Sequence, residues 1–232
     1  MRRIFVVLTL ALFSLVSNTA SAQGVFNDPE TDNYISQKSI TMPSHGYTYT
    51  GSPYANKAFK PGFVFKNGVI LASNVALRFN AARDQFEIKK SLNTSNYAAK
   101  VLVQSEDIYV KINNRLFVYI NKNEENNTGG YYEVLHDGER LSLYKKLSKE
   151  FIEGKKAVNS IAADILPMYK EKVELYFMNA KNELTELPGS RNGKINSFSS
   201  NKKLIKQHIR DKKLNVNKQY DLIKLMNYYD SL

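Results

Sequence analysis

From residue 63 onward, short runs of alternating apolar and polar residues are separated by turn-forming pairs, which is the pattern of antiparallel β-hairpins. In FVFKNGVILA, both residues of Asn67-Gly68 tolerate the positive φ angles of a two-residue type I′ turn. Such a turn places Phe65 opposite Ile70 and Val64 opposite Leu71. The first hairpin is therefore predicted at residues 63–72.

The next segment, VALRFNAARDQFEIKK, alternates on both sides of a four-residue loop at positions 81–84. This loop sets Phe79 opposite Phe86 on one face of the hairpin and Arg78 opposite Glu87 on the other. A cross-strand pair of opposite charges contributes about 0.2–1 kcal/mol, which helps to fix a register. The Arg78/Glu87 pair is therefore interpreted as structural.

Two further hairpins follow from the same pattern. The segment at residues 108–120 turns at Asn113-Asn114 and is almost continuously apolar, which predicts strands near the middle of a sheet. A later hairpin is predicted around residues 179–182, with Val173, Leu175 and Phe177 on one face. Residues 148–168 show no clear pattern, and KKAVNSIAADI, residues 155–165, fits either one short helix or a loop.

The stretch YYEVLHDGERLSLYKKL, residues 131–147, gathers a histidine, two carboxylates and an arginine at positions 136–140. A two-residue turn at Asp137-Gly138 places His136 opposite Glu139, and four apolar residues then share one face. These four residues are Tyr132, Val134, Leu141 and Leu143. The agreement favours a turn with an exposed His136/Glu139 pair at its tip.

The alternative interpretation makes Glu139 a base partner of His136, or both residues metal ligands, because histidine titrates near neutrality and binds metals well. A closed zinc site requires three or four ligands, however, and His45 and His208 lie in other segments. The chain contains no cysteine and no nucleophile elbow, metalloprotease helix or phosphate-binding loop. No catalytic, cofactor-binding or metal-binding residue is assigned, and no cofactor is expected.

After residue 188 the apolar period becomes helical, beyond a break at residues 188–193. Two C-terminal helices are predicted, with Ser199 or Ser200 as the N-cap of the first and Asn217 as that of the second. Four residues of the last helix form an apolar stripe that docks on the sheet. They are Leu222, Leu225, Met226 and Tyr229.

The fold class expected from these elements is mainly β (α+β). Antiparallel hairpins form a meander, as a twisted sheet or a partly open barrel, over residues 51–188. The helical pair, residues 189–232, packs on it. Residues 23–50 are polar, without a sustained apolar period, and are expected to form a flexible N-terminal arm.

The first 22 residues have the layout of a secretory signal peptide. Arg2 and Arg3 precede an apolar run at residues 4–16, and Ala20-Ser21-Ala22 offers a cleavage site. Export to the periplasm or the outer-membrane periphery is expected, with secretion as a further alternative. A lipoprotein anchor is excluded because it requires a cysteine, and no transmembrane segment is expected after cleavage.

The chain has 232 residues and a net charge of +11, which falls to +9 without Arg2 and Arg3. Much of this surplus lies between residues 202 and 218, where Asp211 is the one acidic residue. The candidate residues for binding an anionic surface are Lys202, Lys203, Lys206, Arg210, Lys212 and Lys213. The alternative is a solvated helix face. Nucleic acid is not expected as a partner, because the patch lacks interleaved aromatic residues.

Four segments together resemble a family of exported proteins of unassigned function from Bacteroidota-type Gram-negative bacteria. They are GSPYANKAFKPGFVFKNG, LRFNAARDQFEIK, YYEVLHDGERLSLYKK and LIKLMNYYDSL, and they span the chain from about residue 51 to its end. The resemblance implies an envelope or secreted location and no known cofactor.

The function favoured by these features is that of an exported, envelope-associated, non-catalytic binding or scaffold protein. Its partner is expected to be an envelope protein, an acidic glycan or an anionic membrane surface. The competing hypothesis is a small hydrolase that acts on envelope polysaccharide or peptide.

Overall fold

A computed structural model describes residues 34–40, 48–122, 128–157, 159 and 163–232, so the predicted signal peptide lies outside the described residues. Within these ranges the chain forms eleven strands and three α-helices. The strands are β1 (Ile35–Ser39), β2 (Lys60–Lys66), β3 (Val69–Asn80), β4 (Gln85–Lys89), β5 (Lys100–Leu102), β6 (Ile108–Ile112), β7 (Arg115–Ile120), β8 (Gly130–His136), β9 (Leu141–Ile152), β10 (Met168–Asn179) and β11 (Leu184–Glu186). The helices are α1 (Arg191–Asn196), α2 (Lys202–Asp211) and α3 (Gln219–Asp230).

The described strands form one open antiparallel sheet in the order β1-β5-β4-β3-β2-β6-β7-β8-β9-β10-β11. Two meanders leave β2 in opposite directions, one through β3 to β5 and the other from β6 to β11. The mainly antiparallel fold with helices near the C-terminus is therefore confirmed. The central position of the β6–β7 hairpin is confirmed too, since β6 is sixth in the order.

The tight turns form where the sequence predicts them. Asn67 and Gly68 have φ angles of 49° and 84°, and Asn113 and Asn114 have φ angles of 49° and 62°, as type I′ turns require. Phe65 pairs with Ile70 as predicted, whereas an irregularity pairs Val64 with Ala72 and not with Leu71. The β3–β4 register agrees with the prediction in full, including the Phe79/Phe86 and Arg78/Glu87 pairs.

The first part of the sheet rolls around a hydrophobic cluster, called here the roll core. The roll core includes Val64 of β2, Ile88 of β4, Leu102 of β5, Val110 of β6 and Tyr131 of β8. In a flat sheet β5 and β8 would lie six strand spacings, about 29 Å, apart. The Tyr131 hydroxyl nevertheless donates to the carbonyl that follows β5, Val103 O, at 3.4 Å. The sheet must therefore curl until β5 approaches β8.

The β3–β4 turn fastens this roll. One carboxylate oxygen of Asp84 accepts a hydrogen bond from the Tyr131 backbone N–H at 3.1 Å, and the other contacts Lys146 Nζ at 3.1 Å. The carbonyl of Ala81 accepts from the Lys149 N–H, also at 3.1 Å. The turn after β3 is thus bonded to β8 and β9, which are four and five places away in the sheet.

The three helices cover the far end of the same inner face and form a second cluster, called here the helix core. Leu143 of β9 and Phe177 of β10 contribute from the sheet. The predicted apolar stripe on α3 is confirmed: Leu222, Leu225 and Met226 are 0% exposed and Tyr229 is 2% exposed. Packing of an apolar helix face on the sheet therefore anchors the C-terminal layer.

The predicted register of the β8–β9 hairpin is wrong. Val134 pairs with Tyr144, and beyond a bulge at Leu135 the next pair joins His136 to Leu143. Before the bulge, Val134 pairs with a residue three positions beyond the predicted partner, Leu141. A register shift by an odd number of residues moves the side chains of one strand to the opposite face of the sheet relative to its partner. Tyr132 and Val134 consequently lie on the face opposite Leu143. Period-2 patterning could not reveal this, because Tyr132 and Leu143 are both fully buried on their separate faces.

The predicted N-caps are also wrong. Helix α2 is preceded by Asn201 and α3 by Lys218, and neither side chain caps its helix. The hydroxyls of Ser199 and Ser200 lie 3.1 and 3.0 Å from the Tyr229 hydroxyl instead. These two serines therefore fasten the loop before α2 to α3.

Two further segments differ from the expectations, and a third has two alternatives to compare. Helix α1 occupies the predicted break after residue 188. Strand β1 lies within the segment expected to be a flexible arm and pairs with β5. Strand β9 extends to Ile152 and β10 begins at Met168; the described residues between 155 and 165 contain no helix and include a bridge between Lys155 and Ile165, which favours the loop.

An ion triad separates the roll core from the helix core on the inner face. Glu133 is 7% exposed and receives two hydrogen bonds of 2.6 Å from Arg115, while Lys145 forms an ion pair with it. Burial opposes ionisation of Glu133, but the hydrogen bonds from Arg115 and Lys145 outweigh burial and hold its pKa below the ordinary value.

We predict that Gly130→Ala disrupts the fastening of the roll. Gly130 has a φ of 121°, and a Cβ there would overlap the Asp84 carboxylate. The free energy of unfolding, measured by urea denaturation, should fall by about 2 kcal/mol or more. Gly189→Ala is the matched control, because no atom of the described residues lies within 4 Å of its added Cβ. Equal effects of the two substitutions would contradict the fastening role of Asp84.

We predict that the stabilisation from Glu133 depends on pH. A pKa below its unfolded value gives stability that is complete above about pH 4.3 and lost as the pH falls through the folded-state pKa. Glu133→Gln should lower the free energy of unfolding by about 1–3 kcal/mol at pH 7 and by less at pH 3. Urea denaturation at both pH values measures this, with the exposed Glu150→Gln as control. A deficit that does not change with pH would contradict the ionised triad.

Candidate anion-binding cleft

Helix α2 separates an apolar side from a basic side. Ile205 and Ile209 are 0% and 2% exposed and pack into the helix core. Lys203, Lys206 and Arg210 are exposed, and their spacings of three and four residues place them on one helix face. Burial of the isoleucines therefore directs three positive charges outward.

Helix α1 supplies the facing wall. Its N-cap Ser190 accepts a hydrogen bond from the Gly193 N–H at 3.1 Å. Gly193 suits this turn, because a Cβ would press against Pro188. Ile195 is buried in the helix core, whereas Arg191 and Asn192 are exposed. The short helix thus holds Arg191 beside the basic face of α2.

The two helices line an open cavity of about 330 Å³, called here the basic cleft. Its lining residues are Arg191, Asn192, Ile195, Lys203, Lys206, Ile209 and Arg210. The described lining residues include four cationic side chains and no carboxylate. Among the described residues, none of the ion pairs involves any of these four cations. These unpaired positive charges lie beside the apolar lining residues Ile195 and Ile209, and together they concentrate positive potential in the cleft.

The sequence of α2 is locally unfavourable for a helix. Its first turn contains lysines and no acidic residue, and Asn201 provides no side-chain cap. Lys202/Lys206 and Lys206/Arg210 are like-charge pairs four residues apart, each of which costs about 0.2–0.5 kcal/mol. Packing of Ile205 and Ile209 must offset these costs. A bound anion would relieve the repulsion.

The structure brings together three of the six candidate surface residues. Lys203, Lys206 and Arg210 line the basic cleft. Lys202 is exposed in the first turn of α2, and Lys212 and Lys213 follow the end of the helix; none of these three lines the cleft. Arg191 was missed, although the capping signal Ser190 preceded it, because the Gly residues on both sides indicated a break.

His136 does not form the expected exposed pair with Glu139. Its Nε2 atom lies 2.6 Å from Asp230 Oδ2 at the end of α3, and the two side chains are 10% and 21% exposed. The nearby Ser142 hydroxyl bonds with Asp137 and Gly138. The His136/Asp230 pair therefore joins the last helix to β8. Among the described residues, no group of three or more potential ligands could hold a metal ion.

The Arg78/Glu87 pair is buried under the segment that precedes β2. The guanidinium lies between the rings of Tyr54 and Phe59, at 3.7 and 4.2 Å from their centroids. Arg78 donates to Glu87 at 2.6 and 3.0 Å and to the Lys57 carbonyl at 3.0 Å. These contacts satisfy both charges within the fold. The geometry thus supports the structural interpretation of the pair.

None of the described helices is both long and apolar enough to cross a bilayer. Comparisons of the chain with protein-family models, curated proteins and solved structures found no match. The basic cleft is therefore interpreted from its own geometry and charge.

We predict that His136 and Asp230 stabilise the fold as a coupled pair. Among the described residues Asp230 Oδ1 has no hydrogen-bond partner, so loss of His136 leaves a partly buried carboxylate poorly compensated. A double-mutant cycle of His136→Ala and Asp230→Ala, measured by urea denaturation, should give a coupling free energy of about 1–3 kcal/mol. Additive effects of the two substitutions would contradict the pairing.

Proposed function

We propose that the protein is an exported, non-catalytic binding protein of the cell envelope that attaches to an anionic membrane surface through the basic cleft. The observation that carries this proposal is the cavity lined by four cations and no carboxylate. A basic group near an anionic bilayer contributes about 1 kcal/mol, so four such groups give a few kcal/mol of salt-sensitive attraction.

The location of the charge favours this proposal over a general solubilising role. A charge that only maintains solubility needs no common direction, whereas Lys203, Lys206, Arg210 and Arg191 converge on one cavity. The like-charged side chains of α2 also lower the stability of that helix. This cost is understandable if an anionic partner offsets it.

The hydrolase hypothesis receives no support from His136, the histidine considered above as a base or metal ligand. His136 and Asp230 are bonded to each other, and the neighbouring Ser142 hydroxyl is bonded to the turn. The described lining of the basic cleft includes no carboxylate, imidazole or hydroxyl side chain. Binding is therefore the function that the geometry favours.

We predict that the cleft cations control binding to anionic vesicles. Sedimentation with phosphatidylglycerol-containing vesicles should show binding at low salt and weaker binding at high salt. The triple variant K203E/K206E/R210E should weaken low-salt binding by at least about tenfold.

The matched control is K90E/K100E/K181E, which changes the net charge equally at three exposed lysines outside the cleft. The control should retain most of the binding. Absence of binding by the unmodified protein at low salt, or equal losses in both triple variants, would contradict membrane attachment through the cleft.

A further inference from the structure

We propose that the basic cleft is a specific site for a compact group that carries two phosphates, such as a bisphosphorylated sugar. This inference rests on the proposed function and assigns a ligand class to the same cleft. It distinguishes the site from a surface patch that attracts any negative charge.

The charge balance of the cleft favours two phosphates. A phosphate monoester carries about −1.5 to −2 charges at pH 7. Two such groups match the four cationic side chains of the lining, whereas one would leave about two cations uncompensated. A ligand with a single carboxylate would leave three of the four cations uncompensated. The cleft therefore discriminates by the number of charges that a ligand brings into one small volume.

The types of side chain point to phosphate. Arg191 and Arg210 come from different helices and line one cavity. The planar guanidinium donates two parallel hydrogen bonds to a phosphate, whereas lysine acts as a point charge. Two arginines from different helices can thus each engage one phosphate, and Lys203 and Lys206 add two further positive charges to the lining. The amide of Asn192 adds a neutral donor for a hydroxyl or a phosphate oxygen.

The size and floor of the cavity favour a compact ligand over a polymer. A volume of about 330 Å³ lies at the lower end of the range of small-molecule sites, about 300–1,000 Å³. Ile195 and Ile209 lie at the base of the cleft and are 4% and 2% exposed. An apolar floor lowers the local dielectric response and strengthens the attraction between the cations and a bound anion.

Arg191 is the residue that separates this inference from general electrostatics. It is contributed by α1, outside the basic run of α2, and its position depends on the Ser190 cap. Its loss removes one of the two bidentate donors but only one of the many positive charges on the protein. Arg191→Gln should therefore affect a bisphosphate far more than an anionic surface.

The test is isothermal titration calorimetry of the full protein with sodium pyrophosphate and with sodium orthophosphate at equal ionic strength. Pyrophosphate should bind at one site and at least about tenfold more tightly than orthophosphate. Arg191→Gln should reduce pyrophosphate affinity by about tenfold, and Arg191→Lys should restore part of it. The matched control is Arg83→Gln, at an exposed arginine in the β3–β4 turn, and it should leave affinity unchanged.

Two results would overturn the inference. One is equal affinity for pyrophosphate and orthophosphate, and the other is an equal effect of Arg191→Gln and Arg83→Gln. Circular dichroism of each variant confirms folding, and partial rescue by Arg191→Lys distinguishes loss of a phosphate contact from a structural defect in α1.

The vesicle experiment identifies the source of the phosphates and separates the two proposals. If a lipid supplies them, vesicles with a bisphosphorylated headgroup should bind more tightly than phosphatidylglycerol vesicles of equal surface charge. Pyrophosphate selectivity without vesicle binding would support a soluble bisphosphate and overturn only membrane attachment. Vesicle binding without pyrophosphate selectivity would overturn only the present inference.

Discussion

The carboxylate of Asp84 provides the constraint on which the rest of the structure depends. It bonds the β3–β4 turn to Tyr131 and Lys146, on strands four and five places away in the sheet. This contact holds the sheet in a roll and turns the inner face of β8 and β9 toward the roll core. Because the far end of that face carries Leu143, the same contact orients the platform on which the helices pack. The basic cleft is formed on the outer side of that helical layer.

Features set by neighbouring residues were predictable from the sequence. Asn67-Gly68 specifies its turn because both residues accept positive φ, and the turn fixes the adjacent Phe65/Ile70 pair, though not the pairing beyond the irregularity at Val64. The Arg78/Glu87 register followed from alternation on both arms of one hairpin. The apolar stripe on α3 could be predicted because a helix that covers a sheet buries only one of its faces. The burial of the Arg78/Glu87 pair was not predictable, since the residues that cover it belong to another segment.

Features set by distant contacts were not predictable. Tyr132 and Leu143 are both buried, one on each face, so alternation could not choose between registers that differ by an odd number of residues. The roll depends on Asp84, whose partners lie 47 and 62 residues away along the chain. Only part of the candidate site was predictable from the sequence. The helical spacing of the basic residues in α2 could be recognised, but Arg191 reaches the basic cleft only because α1 packs on the helix core through Ile195. The composition showed that the protein is positively charged, but only the fold showed that four of its cations line one cleft.

The roll of the sheet is tested most directly by a distance between its fastened parts. The chain has no cysteine, so Ala82→Cys and Glu150→Cys can carry the only two spin labels in the protein. Both positions are exposed, and the residues beside them are joined by the Lys149-to-Ala81 hydrogen bond. Dipolar electron paramagnetic resonance should report the short separation of neighbouring strands. A flat sheet would separate the two strands by five spacings, about 24 Å, and a label distance of that size or more would contradict the roll.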